Sequence, residues 1–119
     1  MNRGEVYWAD LRPRSGSEQR GRRPVVIVSH DAFNHLETWR SLIVVPLSTS
    51  TRQARRGPTA VVVEAGIAGL ERASVALCHQ PTTIDRSKLS ELIGRLPDEA
   101  MRLIEAGLLA AMDLRRGAG

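Results

Sequence analysis

The chain is 119 residues long with 42% hydrophobic and 25% charged side chains, which suits one modest globular core and is too short for two. Its single cysteine, Cys78, excludes an internal disulfide, no C-x-x-C or H-x-x-x-H spacing offers zinc ligands, and no apolar run reaches the roughly 18 residues of a membrane span. The opening MNRGEVYWADL also lacks an apolar stretch of signal-peptide length, so a cytoplasmic protein is expected. The net charge of +4 is unevenly spread: residues 12–56 hold nine arginines against Glu18, Asp31 and Glu37, whereas the remainder is acidic by two charges. Sixteen of the seventeen basic residues are arginine, Lys88 being the exception. A general preference for arginine would explain the residue type but not its clustering. Arginine grips phosphate with a planar fork of donors, so a localised polyanion-binding surface is expected.

Along the chain, Glu5 to Leu11 is short, mixed apolar and aromatic, and bounded by Gly4 and Pro13, which predicts a first strand. Residues 12–23 carry Pro13, Gly16 and Gly21 among polar groups and read as a long loop. Pro24 to Ser29 is β-branched and apolar, a second strand with proline at its first position. Asp31 to Leu36 predicts a helical turn, and Ser41 to Leu47 a third strand whose Pro46 suggests an edge or a bulge. Residues 48–58 read as a second basic loop, Thr59 to Glu64 and Ser74 to Leu77 as strands around AGIAGLERA, and Leu92 to Leu96 as one more. From Asp98, the residues Met101, Ile104, Leu108 and Met112 recur at helical spacing and predict a terminal amphipathic helix packed on the sheet through that stripe. Asp98 and Glu99 suit the positive end of its dipole. Successive strands and a late helix imply an α+β fold, an antiparallel sheet coiled into a small barrel, as a single domain over 1–115 with a short tail at 116–119.

Four ordered segments carry a likeness: RGEVYWADLRP (3–13), GSEQRGRRPVVIVS (16–29), IVVPLSTS (43–50) and GLERASVALCHQPTTID (69–85), continued by RSKLSELIGRLPDEAMRLI (86–104). Together they resemble the MazF/PemK family of toxin endoribonucleases, the toxic halves of bacterial toxin–antitoxin pairs. The resemblance implies an SH3-like, strongly curved sheet with a C-terminal helix, a homodimer, and no cofactor or metal. It implies cleavage of single-stranded RNA at short sequences, leaving 2′,3′-cyclic phosphate and 5′-hydroxyl ends and so inhibiting translation, with neutralisation by a cognate antitoxin protein. Messenger RNA leads as the target class, with ribosomal and transfer RNA left open. Family activity depends on the arginine of the R-P step, which falls on Arg23, and on a hydroxyl after the V-P-L strand, which falls on Ser48. Relatives commonly have threonine then serine there, and this chain has Ser48 then Thr49, keeping the hydroxyl but losing the methyl that stiffens χ1. Pro81 and Thr82 after Gln80, and His79 where an acid is common, depart from the family pattern beside the presumed groove.

If a 2′-hydroxyl attacks the adjacent phosphate, the protein must remove a proton, stabilise a crowded dianionic phosphorane and assist the leaving oxygen. The resemblance also makes Arg23 a possible proton donor to the leaving oxygen, but a guanidinium holds its proton too firmly for that, so Arg23 is assigned electrostatic stabilisation of the phosphate. Ser48 is expected to donate a second hydrogen bond or to position the 2′-hydroxyl. Glu18 is the candidate base, with a salt bridge to Arg20 or Arg22 as the competing reading, and Ser17 is a phosphate contact. Arg14, Arg20 and Arg22 are expected to close over the strand, with Arg52, Arg55 and Arg56 forming the opposite wall and Thr49 a further RNA contact. His79, next to Gln80 on a strand expected to face the groove, is a candidate for an extra RNA contact or a base, whereas His30 and His35 read as ordinary surface residues. Trp8 and Trp39 are candidates for base stacking, although an alternating strand favours core packing for Trp8. Two readings on the same scaffold compete: a non-enzymatic inhibitor like the gyrase-poisoning toxins, and a nucleic-acid-binding module without turnover.

Overall fold

In the computed structural model the described residues are 1–11 and 21–115, with Thr51 and Arg56 described in backbone alone. Seven strands form one antiparallel sheet: β1 (Glu5–Asp10), β2 (Arg22–Ile27), β3 (Ser41–Ser48), β4 (Ala60–Val63), β5 (Ser74–Leu77), β6 (Thr82–Asp85) and β7 (Leu89–Arg95). Two helices, α1 (Asp31–Asn34) and α2 (Asp98–Ala111), complete the regular structure with short 3₁₀ segments. Neighbours run β4-β5-β3-β2-β1-β7, and β6 pairs with β3 off that path. The strongly curved antiparallel sheet with a terminal helix is the architecture that the sequence predicts.

The β-branched strands sort their side chains by alternation. Val6 pairs with Val26 and Val26 with Val45, and these residues join Leu47, Ala76 and Cys78 in one buried cluster that α2 seals with Met101 and Ile104. Ala9, Val25, Ile27, Leu42 and Val44 point the other way into a second cluster with Leu89, flanked by Tyr7 and Leu11.

Several expectations need correction. The second strand starts at Arg22, not Pro24, because the β1 ladder already pairs Asp10 with Arg22 and Ala9 with Arg23. Pro24 is tolerated inside it because the β3 ladder ends at Val25 opposite Pro46, leaving Pro24 paired on one side only. Pro46 marks no edge: β3 is interior, and it changes partner there, from β2 to β5 at Leu47 and Ser48. The basic stretch after β3 is a 3₁₀ segment, Thr51–Thr59, kinked at Gly57 with φ 84. Strand β6 went unpredicted, and β7 starts three residues earlier than its apolar run suggests. On α2 the stripe stops at the partly buried Leu108; Met112 lies past the helix end and is 51% exposed. Gly107 continues the buried face instead, pressed so closely on Cys78 that a Cβ there would stand 2.8 Å from Sγ.

The turn around α1 is held by Arg86, whose guanidinium donates to the carbonyls of Trp39 (2.5 Å), Phe33 (3.0 Å), Asn34 (2.7 Å) and Leu36 (2.9 Å). His30 caps α1, its Nδ1 accepting from Ala32 N–H at 2.9 Å, and His35 Nε2 meets Asn2 Oδ1 at 2.7 Å. Both are surface residues of that turn, as the sequence implies.

Candidate nucleic-acid interface

Arg23 is the second residue of β2, opposite Ala9, and strand alternation sets it on the Val25 and Ile27 side of the sheet. It is half-buried, and among the described residues nothing pairs with its guanidinium. Ser48 ends β3 opposite Val75. The β2–β3 register runs Ile27 to Val44, Val26 to Val45 and Val25 to Pro46; continued by two residues, it aligns Arg23 with Ser48 on the same face. The ladder itself stops at Pro46, so the two residues sit where β2 and β3 part. The Ser48 hydroxyl oxygen accepts from Ser50 N–H at 3.1 Å, which orients the side chain and leaves its own proton free to donate.

The chain then turns into the 3₁₀ segment, where Ser50, Arg52, Gln53 and Arg55 line a cleft of about 390 Å³. Arg52 and Arg55 are exposed, and among the described residues the lining includes no carboxylate. Thr49 is exposed and alternates to the other side, where it lines a cavity of about 250 Å³ with Trp8, Pro24, Glu71 and Arg72. Trp8 is thus a half-buried wall rather than a core residue, since its indole borders that cavity and carries the Arg22 guanidinium at 5.1 Å from the ring centroid. Trp39 is 46% exposed and leans on Phe33 with ring centroids 5.0 Å apart.

His79 lies in the turn after β5 and not on a strand, because the β5 ladder ends at Leu77 opposite Ala60 and the chain reverses. Gln80 N–H closes that turn on the Leu77 carbonyl at 2.9 Å. With the Gln80 amide nitrogen donating at 3.2 Å, His79 Nε2 is the acceptor and a neutral ring carries its proton on Nδ1. Nδ1 is buried with no hydrogen-bond partner among the described residues. Arg14, Ser17, Glu18 and Arg20 lie outside the described residues, as does the Arg56 side chain. Among the described residues, no group of three or more His, Cys, Asp or Glu side chains is placed to hold a metal ion, and no helix is long and apolar enough to cross a membrane.

Sequence reasoning missed Ser90 and Glu91. Arg22 Nη2 reaches Ser90 Oγ at 3.4 Å and Glu91 Oε1 at 3.6 Å, and no local motif announces partners so distant in the chain.

Fold and site together define a small curved-sheet protein with an unpaired arginine and an oriented hydroxyl at a strand junction, beside a cleft lined by arginines. Comparison with known proteins agrees with the fold. The model of the PemK-like, MazF-like toxin of type II toxin-antitoxin system matches residues 2–112. The chain belongs to that family. It is 38% identical over 114 residues to Endoribonuclease EndoA of Bacillus subtilis (strain 168), covering 96% of each protein. Among solved structures it resembles the Mycobacterium tuberculosis toxin MazF-mt6, with a TM-score of 0.74, 26% identity, and coverage of 94% of this chain and 99% of that one. It also resembles a mycobacterial endoribonuclease solved in complex with its cognate antitoxin, with a TM-score of 0.73, 25% identity, and coverage of 98% and 97%.

Proposed function

We propose that this chain is a toxin endoribonuclease that cuts single-stranded RNA through the substrate's own 2′-hydroxyl. The observation that carries the reading is the strand register, which brings Arg23 and Ser48 to one face where β2 and β3 separate. A phosphate seated there would receive two guanidinium N–H groups from Arg23 on its non-bridging oxygens, strengthening as the phosphorane gathers charge. The Ser48 proton, free because its oxygen is held by Ser50 N–H, would be donated to the same phosphate or to the 2′-hydroxyl. Arg52, Arg55 and Arg56 would hold the flanking backbone, joined by Arg14, Arg20 and Ser17 from the sequence before β2. Glu18 is the proposed base. Thr49, His79 and Gln80 are the proposed contacts to the rest of the strand, with His79 offering its ring face rather than removing a proton, since Nε2 is engaged by Gln80 and Nδ1 is buried. The finer parts of the reading are cyclic phosphate products, messenger RNA as target, a homodimer, one domain over 1–115, a cytoplasmic location, and an acidic antitoxin segment covering the arginine-lined face.

Incubation of the purified protein with mixed RNA in excess chelator tests the reaction. Fragments ending in 2′,3′-cyclic phosphate are expected; intact but retarded RNA would mean a binding module, and no effect on RNA would mean an inhibitor of another kind. Arg23→Ala should slow cleavage by roughly 10²- to 10³-fold, the usual effect of removing one transition-state donor, while the fold persists. A substrate with deoxyribose at the cut nucleotide should resist cleavage. Cutting of that substrate would move the attack to water and reject the mechanism.

A further inference from the structure

Arg22 precedes Arg23, and alternation sends the two side chains to opposite faces of β2. On its own face Arg22 lies diagonal to Trp8, which pairs with Pro24. Among the described residues, three groups converge on its guanidinium. The Trp8 ring lies 5.1 Å away, Ser90 Oγ at 3.4 Å and the Glu91 carboxylate at 3.6 Å. The β1–β7 register explains how they meet: Tyr7 pairs with Leu92 and Ala9 with Leu89, so Ser90 and Glu91 together oppose Trp8 in a bulge. A bulge of this kind turns side chains out of the ordinary alternation. Ser90 Oγ also donates to the Trp8 carbonyl at 3.3 Å, tying the bulge to β1.

We infer that Arg22 is a positioning residue: its guanidinium, held by Trp8, Ser90 and Glu91, fixes the first turn-free residues of β2 and thereby aims Arg23, instead of binding RNA itself. The Asp10–Arg22 pair is the last rung of the β1–β2 ladder, and Arg23 occupies the rung beside it. The start of the strand is tethered on the β1 side only, since the β3 ladder stops at Val25. Each contact alone is weak at the surface, with Arg22 and Glu91 side chains 52% and 76% exposed. Their value lies in converging on one planar group from two strands. The inference rests on the proposed function, in which Arg23 is the phosphate ligand; it assigns Arg22 a role that its charge alone would not suggest.

Three variants separate aiming from binding. Steady-state cleavage, anisotropy binding of a 2′-O-methyl single-stranded oligonucleotide across salt concentrations, and amide hydrogen exchange at the Asp10–Arg22 rung are measured for each. On the present account Arg22→Ala lowers kcat about tenfold, as expected of slight misplacement of a reacting group. KM and the slope of log affinity against log salt stay unchanged, and exchange at the rung quickens. Arg22→Lys behaves like Arg22→Ala, because a point charge lacks the planar surface that stacks on Trp8. Glu91→Gln lowers kcat as well. If Arg22 contacts RNA instead, Arg22→Ala raises KM and reduces the salt slope by about one, Arg22→Lys restores both, and Glu91→Gln tightens binding by releasing the guanidinium. Those results overturn the inference. Should the wild-type protein leave RNA uncut, the proposed function fails, yet the exchange rates and the salt slope still decide whether Arg22 holds its strand or meets a polyanion.

Discussion

Cys78 illustrates what burial does to a reactive group. Its thiol is fully enclosed between β5 and α2, and its Sγ donates to the Ile104 carbonyl at 3.7 Å. Burial disfavours the thiolate and pushes the pKa up to about 11. An unfolded thiol ionises near pH 8.5, so the folded state is the one that retains the proton. Stability from this group is therefore full below that value and is lost as pH climbs through about 11. Two outcomes follow. Iodoacetamide at pH 8 should leave the native protein unlabelled and label it stoichiometrically in denaturant, as read by intact mass. Thermal melts should fall with alkali above pH 9, and the fall should flatten in Cys78→Ala after allowance for its lower starting stability. Rapid native labelling at pH 8 would show that the seal between β5 and α2 opens readily.

Among the elements, the approach of β7 to the turn Ile67–Gly69 tolerates least change. A Cβ on Gly94 would fall 2.3 Å from the Ala68 carbonyl oxygen, and one on Gly69 would fall 2.6 Å from the Ile93 carbonyl oxygen. Both obstacles are backbone, so neither can rotate away. Ala68 is already in the left-handed region at φ 55, which leaves the turn little freedom to retreat. Gly94→Ala should cost about 3 kcal/mol, the upper part of the range for overpacking, seen as a lowered urea midpoint with an unchanged slope. A loss under about 0.5 kcal/mol would mean that the turn moves aside. The sequence shows such junctions only in part. Glycines in AGIAGLERA and LIGRL signal turns and close approach, but which glycine meets which carbonyl depends on how β7 lies on the turn. Strand β6 escaped notice for a similar reason: Thr82, Thr83 and Asp85 are exposed, and its existence depends on pairing with β3 from Ser41 to Val44. Arg23 and Ser48 were legible as motif positions. Their common face was not, because it rests on a register set by strands remote in sequence. The same remoteness hid Glu91 from Arg22.

At the scale of the whole molecule, charge and apolar surface divide the work. Val28, Ile43, Pro81, Thr83, Leu108 and Met112 line a cavity of about 370 Å³ with no charged side chain in its wall among the described residues. Ile43 and Met112 are 44% and 51% exposed, an unusual placement for large apolar groups on a strand and a helix end. Such a surface can be covered without stripping water from an ion, which is the energetic obstacle to burying the arginine-lined face. The proposed homodimer is therefore expected to use this apolar wall, where β3, β6 and the end of α2 meet, and to leave the Arg52 and Arg55 cleft to RNA. A stable pair needs roughly 800 Å² from each partner, a modest share of the 7588 Å² that one chain exposes. Ile43→Glu places a carboxylate in the contact while remaining solvated in the separate chain, so it should break the pair without unfolding the protomer. Sedimentation velocity should then move from twice the 13.1 kDa chain mass to the single value, with the circular dichroism spectrum retained. A wild-type protein that already sediments at the single mass, or a variant that remains paired, would remove this wall as the dimer contact and leave its exposed apolar residues for another partner.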